Sequence, residues 1–523
     1  MLETHATGTA RCTAGGDLRR ARRTGLPFAK LRAGLLAATL AATLSGCALG
    51  PDYQRPAPTL DAGFVAAGSA AVNAAPVAPD IASFWRGFND ATLNSLVERA
   101  LAANGDMRIA QARLQEARAN LGEADAAARP ALAIDGGATR AVRPITQQPG
   151  TSRSDRTATT LDSGFIANWE LDLFGRYRRG SEAASALLDA GQAGLHAAHT
   201  SVAAEVARNY LELRGLQQRL RIAQAALLNQ REALRITDAR FDAGRGTQLD
   251  RVRALGLVAG TEAALPALHN GIERHALRLA TLVAQPPRSV LAELATPAAL
   301  PGLPVTDLAQ LPLGTPEQWL QRRPDLIAAE RQLAAATANI GVARTALFPR
   351  LSLSGLLGLN AATFSNLVKS ESVVYSLGVG LRWTPFDLGA IRARIAATEA
   401  RALQSLASYE QAVAIALEET EGAFSTYTRN AQRAERQAAA AGYAQEAAKL
   451  ARLRFGAGVS DFLVVLDAER EVLSSEDLLM QTQTATAAAL VSIYRALGGG
   501  WGGQAVPAAA QTAAAPAQQP QQR

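Results

Sequence analysis

The chain has 523 residues, of which 48% are hydrophobic and 5% aromatic, and it carries two cysteines. That apolar share excludes a wholly disordered chain, and two cysteines exclude a disulfide scaffold. The formal charge is +7, but of 53 basic and 46 acidic residues seven and two lie in residues 1–46; the rest is nearly neutral, which removes the clustered basic surface a nucleic-acid partner requires.

Residues 11–32 are Arg-rich and residues 33–46 are small and apolar. A charged n-region followed by an apolar h-region is the pattern of a secretory signal, here residues 1–46. The n-region is long. No Met stands between Met1 and Met107, so a non-Met start near Leu26 is open. The segment ends in Leu44-Ser45-Gly46-Cys47. That run resembles the lipobox of bacterial lipoproteins, in which the Cys takes a diacylglycerol on its thiol and an N-acyl lipid on its new N-terminus. The alternative is an ordinary Cys after an ordinary signal. Ala48 rather than Asp follows Cys47, which resembles outer-membrane sorting. Beyond this lipid no cofactor is expected. No apolar run reaches the roughly 18 residues of a transmembrane helix, which excludes a polytopic helical membrane protein.

The mature chain is duplicated. At an offset of 219, Asp106, Leu114, Asn120, Gly122 and Pro130 match Asp325, Leu333, Asn339, Gly341 and Pro349. At an offset of 214, Trp169, Gly175, Arg240-Phe241, Gly244 and Leu249 match Trp383, Gly389, Arg454-Phe455, Gly458 and Leu463. The five extra residues of the first half fall between Pro130 and Trp169.

Within each half the pattern predicts a short helix, two strands and a long helical hairpin. Leu132 and Ile134 alternate after Pro130, and Leu351 and Leu353 after Pro349. Phe165–Leu173 and Tyr375–Trp383 alternate likewise, apolar on one face and small or polar on the other. This suits a transmembrane β-barrel wall; a soluble hairpin packed on a helix is the alternative. No proline occurs from Gly150 to Leu265 or from Phe386 to Val506, so long helices are permitted over Arg176–Asp242 and Ile391–Phe455. Each would run roughly 100 Å at 1.5 Å per residue, unless an unmarked break divides it. Such helices belong in a coiled-coil or bundle assembly. Gly244 and Gly458 supply the left-handed residue of a tight tip. Thr247 with Asp250, and Ser460 or Asp461, are candidate caps for the returning helices.

Four strands cannot close a membrane barrel, and an open sheet edge is not tolerated in lipid. If the strands span a membrane, several chains share one barrel. The divisions expected are a signal peptide (1–46), a lipidated extended segment (47–90), a first repeat (91–290), a Pro-rich linker (291–314), a second repeat (315–497) and a disordered tail (498–523).

Leu44–Cys47, Gly50-Pro-Asp-Tyr-Gln-Arg-Pro56, the paired Pro-to-Trp hairpins and Arg454-Phe-Gly-Ala-Gly458 through Leu466-Asp-Ala-Glu-Arg470 occur together. Over residues 44–497 the chain resembles the outer membrane factor family, the TolC-like channels, and within it the NodT/OprM-type efflux lipoproteins. The resemblance implies a mainly α protein with membrane β: long helical hairpins forming a trimeric α-barrel, plus four strands per chain in a shared 12-stranded transmembrane β-barrel. It implies an outer-membrane channel, lipid-anchored and reaching into the periplasm, that passively conducts cargo from an inner-membrane transporter through a periplasmic adaptor. It also implies a periplasmic gate at the second tip, with Leu463 as an apolar constriction and Asp467 as an acidic ring. Arg470, one turn on, is within reach of a carboxylate and could latch that tip; a solvated surface pair is the alternative. Val464 stands where some members carry a second Asp, and Ser460 where they have Arg. The rival readings are a lipid-anchored periplasmic helical adaptor or structural protein, and the same channel serving type I protein secretion.

Nothing makes a positive case for an enzyme. His196 and His199 have metal-compatible spacing without a clear third ligand. Glu418, Glu419 and Glu421 read as a solvated helical face rather than catalytic acids.

Overall fold

The computed structural model describes residues 48–57, 63–64, 79–304 and 316–499. The signal segment, Cys47, most of the tail and part of the Pro-rich linker lie outside the described residues. After a 3-10 segment, Pro79–Phe88, come α1 (Ala91–Ala103), α2 (Gly105–Ala127), β1 (Ala131–Val142) and β2 (Thr157–Leu171). The first hairpin follows as α3 (Arg176–Asp242) and α4 (Gln248–Leu282). Then come α5 (Pro287–Leu294), α6 (Pro316–Leu320), α7 (Pro324–Arg344), β3 (Arg350–Ala361), α8 (Phe364–Leu367) and β4 (Val373–Arg382). The second hairpin is α9 (Leu388–Gly456) and α10 (Phe462–Ala496).

The helices α3 and α9 are unbroken over 67 and 69 residues. Their buried positions explain why. Ala183, Ala186, Ala190 and Ala193 recur at alternating steps of three and four on α3, as do Tyr409, Val413, Ala416, Thr420, Ala423 and Tyr427 on α9. That is a heptad seam, which holds one face against a partner helix over many turns. Ala183 and Ala186 of α3 pack on Ala334, Ala335 and Ala338 of α7. The main core lies midway along the hairpins, where Phe84, Trp85, Leu93, Tyr210, Leu279, Trp319, Phe424 and Leu490 are buried together. The proline-free stretch ended at Leu265, yet α4 continues through Pro266. Pro266 is exposed, so its ring meets solvent and only one backbone bond is lost.

The strands form one antiparallel sheet in the order β1-β2-β3-β4. Cross-strand partners share a face. One face carries Leu132, Ile134, Phe165, Trp169, Leu353, Leu357, Tyr375, Leu377 and Val379; the other carries Asp135, Asp162, Asn168, Glu170, Ser352, Ser354, Gly378 and Gly380. The apolar face is bare: Leu132 is 69% exposed and Leu377 86%. β1 and β4 are edges.

The duplication is visible in bonds as well as elements. Trp169 Nε1 donates to the Ala128 carbonyl at 3.0 Å and Trp383 Nε1 to that of Leu347 at 3.1 Å. Ala128 and Leu347 are themselves equivalent at the offset of 219, so each tryptophan pins the same helix-to-strand corner. α4 and α10 are both 35 residues long. The five-residue difference lies in the strand hairpins: β1 and β3 have 12 residues each, the β1–β2 connection (143–156) is three residues longer than the β3–β4 one (362–372), and β2 starts two residues further ahead of its tryptophan than β4.

The expected linker is more than connective. Gln217 donates to the Leu294 carbonyl at 2.8 Å, Arg214 to that of Thr296 at 3.0 Å and Gln218 to that of Ala298 at 2.6 Å. Val290 and Leu294 of α5 are buried. Three side chains of α3 thus hold the start of the linker.

Candidate functional site: the hairpin tips and the foot of the sheet

Both tips end in the same six-residue device. Gly244 N–H donates to Phe241 at 2.9 Å and Arg245 N–H to Arg240 at 2.8 Å; Gly458 and Val459 do the same to Phe455 and Arg454 at 3.0 and 2.9 Å. The glycines have φ of 70° and 76°. This double bond satisfies the last carbonyls of each long helix and needs a left-handed residue at the glycine. The tips lie side by side, with the Arg240 guanidinium 4.0 Å from the Phe455 ring centre.

On α10, Phe462, Val465 and Leu466 are buried against Ala254 and Ala451. Helical spacing then turns Leu463, Val464 and Asp467 outward. Leu463 is 38% and Val464 49% exposed, and Asp467 is exposed. Arg470 lines a groove of about 510 Å³ with Gly256 and Gly260 of α4 and the Arg219–Asp477 pair. Among the described residues there is no ion pair between Asp467 and Arg470 within the chain; the guanidinium lies over the groove. Near the tip α10 is tied back to α9 by an ion pair between Arg452 and the buried Glu469. That bond, together with the attraction of the Glu469 charge, raises the Arg452 pKa. Sequence reasoning missed it. The signal available was a Glu three and four residues beyond the buried Leu466 and Val465, on the apolar face.

The cap candidates divide. Thr247 accepts from the Asp250 amide at 3.1 Å and donates to its carboxylate at 2.6 Å. Asp461 occupies the second cap without a side-chain bond, and the Ser460 hydroxyl is buried without a partner among the described residues. Glu419 is not merely solvated. It accepts from Arg323 at 2.9 Å and lies 3.6 Å from Arg495. Arg323, buried, also pairs with Asp325 at 2.6 Å. His196 shares a 3.0 Å hydrogen bond with Gln192.

At the other end, residues 48–57 lie against the foot of the sheet. Leu49 N–H donates to the Phe174 carbonyl at 3.3 Å, and Arg179 reaches the Leu49 carbonyl at 3.2 Å and Asp52 at 2.6 Å. Tyr53 hydrogen-bonds Glu330, and burial together with that carboxylate raises its pKa. Gly50 has φ of 99°, and a Cβ there would stand 2.5 Å from the Gly341 Cα. The Gly50–Pro56 motif is therefore a strap, and its glycine is required by close backbone approach.

Taken together, these parts define a class: long coiled helical hairpins carrying a sheet that is apolar on one bare face and open at both edges. The outer membrane efflux protein family model matches residues 96–285 and 315–499, one segment per repeat. The chain belongs to that family and is an outer-membrane efflux channel component. It is 33% identical to outer membrane protein OprJ of Pseudomonas aeruginosa, over 90% of this chain and 96% of that one. It is 31% identical to nodulation protein T of Rhizobium leguminosarum bv. trifolii, over 88% and 95%. The solved outer-membrane channel OprN superposes with a TM-score of 0.81 at 41% identity, covering 87% of this chain and 100% of that one.

Proposed function

We propose that three copies close their sheets into one 12-stranded transmembrane β-barrel and join their hairpins into a periplasmic α-barrel, a passive conduit for cargo delivered by an inner-membrane transporter and a periplasmic adaptor. The observation that carries this reading is the sheet. Four strands with bare edges and a bare apolar face are unstable in water and in lipid alike, and copies pairing β4 to β1 satisfy every edge. The apolar face then meets lipid and the polar face lines the lumen.

A lipid on Cys47 fits the same arrangement. Ala48 is the next residue and is strapped where sheet meets helix, so an acyl chain there starts at the membrane. The gate lies at the second tip. Around a three-fold axis Leu463 gives an apolar ring and Asp467 an acidic one, which favours cations. Arg470 serves the gate from its groove, and its partner in a closed ring is a neighbouring copy rather than Asp467 of its own helix.

Planar-bilayer recording of the purified protein tests this. Wild type should conduct in small steps with a preference for cations. Asp467→Asn should reduce that preference severalfold, and Leu463→Ser should enlarge the closed-state conductance. Monomeric particles in detergent with no conductance would overturn the shared barrel and return the adaptor-like reading.

A further inference from the structure

The two repeats treat the start of their long helix differently. In the first, Asp172 supplies an anion: its carboxylate accepts from the amides of Tyr177 at 3.2 Å and Arg178 at 2.9 Å, and from the Arg178 guanidinium at 3.4 Å. It thus satisfies the orphan N–H groups and positive end of α3. The equivalent of Asp172 in the second repeat, at the offset of 214, is Phe386, which is fully exposed. At the start of α9 the cap residue is Asp387, and among the described residues its carboxylate makes no cap bond.

Cations gather there instead. Arg350, Arg382 and Arg394 line one cavity of about 200 Å³ with Trp383 and the single carboxylate Asp387. Among the described residues none of the three arginines has an ion-pair partner. Arg350 and Arg382 are direct cross-strand partners. Like charges placed opposite one another on a sheet are destabilising, and Asp387 is the one carboxylate among the residues lining the cavity with them. At about 30 Å³ per water, the space holds a small tetrahedral anion and some of its hydration.

We propose that this cavity binds a phosphate group, which takes the place in the second repeat that Asp172 fills in the first. Guanidinium forks match phosphate oxygens in pairs, and the unfilled start of α9 adds backbone donors. The group is the headgroup of a phospholipid or a soluble phosphate. Trp383, half-exposed, lines the cavity, and Phe386 stands exposed beside Asp387 in the chain.

The test uses the full chain in a phosphate-free detergent. Phosphatidylglycerol is added and counted by native mass spectrometry, and inorganic phosphate is titrated separately by calorimetry. Two variants are run beside wild type. One replaces Arg350, Arg382 and Arg394 by Gln. The other, Phe386→Asp, keeps all three arginines and restores the first repeat's own anion; position 386 is exposed, so the fold tolerates it. Wild type should hold about one phosphate group per chain. Both variants should bind it at least about tenfold more weakly, the scale of losing a charge-assisted hydrogen bond. Retention of the lipid alone assigns the site to a headgroup, and saturation by inorganic phosphate assigns it to a soluble anion. Absence of both ligands in wild type, equal binding in Phe386→Asp, or a structure of the assembly with a neighbouring copy's carboxylate between the arginines would overturn the proposal. None of these outcomes depends on conductance.

Discussion

At the tip of the first hairpin Thr247 and Asp250 bond to each other, and Arg251 bridges to Asp238 at 2.9 Å while lying over Phe241. At the second, Asp461 caps without a bond and Ser460 has no partner among the described residues; apolar residues are exposed at both tips, Leu249 and Val252 at the first and Val459, Leu463 and Val464 at the second. The backbone turn is the same in both. The positions equivalent to Leu463, Asp467 and Arg470 in the first repeat are Leu249, Arg253 and Gly256. One copy of an ancestral hairpin has spent its polar groups on holding itself closed. The other ties helix to helix through Arg452 and Glu469 but leaves its cap residues without side-chain bonds.

The same contrast should appear away from the tips, and most strongly at the end of each returning helix. The Ala496 carbonyl receives Trp319 Nε1 at 2.7 Å, and its counterpart Leu282 receives Asn104 Nδ2 at 3.0 Å. Trp319 is buried in the main core. Trp319→Ala should cost about 3–5 kcal/mol through the cavity it leaves, and Asn104→Ala about 1–3 kcal/mol through the unsatisfied carbonyl. Denaturant midpoints followed by helical circular dichroism would show the order, and equal losses would break the comparison. At the tips, Thr247→Ala should cost about 1 kcal/mol, whereas Ser460→Ala should leave the midpoint unchanged or raise it, because a buried hydroxyl without a partner contributes nothing. A loss at Ser460 equal to that at Thr247 would mean the second cap is as strong as the first.

The smallest effect expected is with pH. His196 and His275, both in the first repeat, have pKa values lowered chiefly by burial. Their equivalents in the second are Glu410 and Ala489. A depressed folded pKa means the unfolded chain binds protons first, so stability falls as pH drops through about 6.5. Replacing both histidines by Gln should flatten the melting temperature between pH 7.5 and 5.5. An unchanged slope would place the acid sensitivity elsewhere.

Much of this architecture was legible because it is written in local pattern. The helix expected over Arg176–Asp242 is α3, and the alternations after Pro130 and Pro349 open β1 and β3. Glycine at 244 and 458 marked both tips, since few other residues adopt the left-handed turn there. What escaped was every bond between residues distant in sequence. Glu419 reads as one of a solvated trio until Arg323 arrives from 96 residues away. Arg470 sits one turn beyond Asp467, and helical spacing alone suggests a pair; only the packing of α10 on α4 shows the guanidinium over a groove. Gly50 was a motif letter until Gly341 was seen against it.

The confinement of the five extra residues to the strand hairpin has a consequence for how such a chain can change. Each residue inserted in a helix turns everything beyond it by about 100°. An insertion within α3 or α9 would rotate the tip beyond it, and one within α9 would carry Asp467 off the face it now presents. A residue added at the far end of a strand pair only lengthens a loop. Drift in length is therefore tolerated at one end of the molecule and forbidden along the rest, and families built on this plan should vary in their outer loops while keeping the register of their tips.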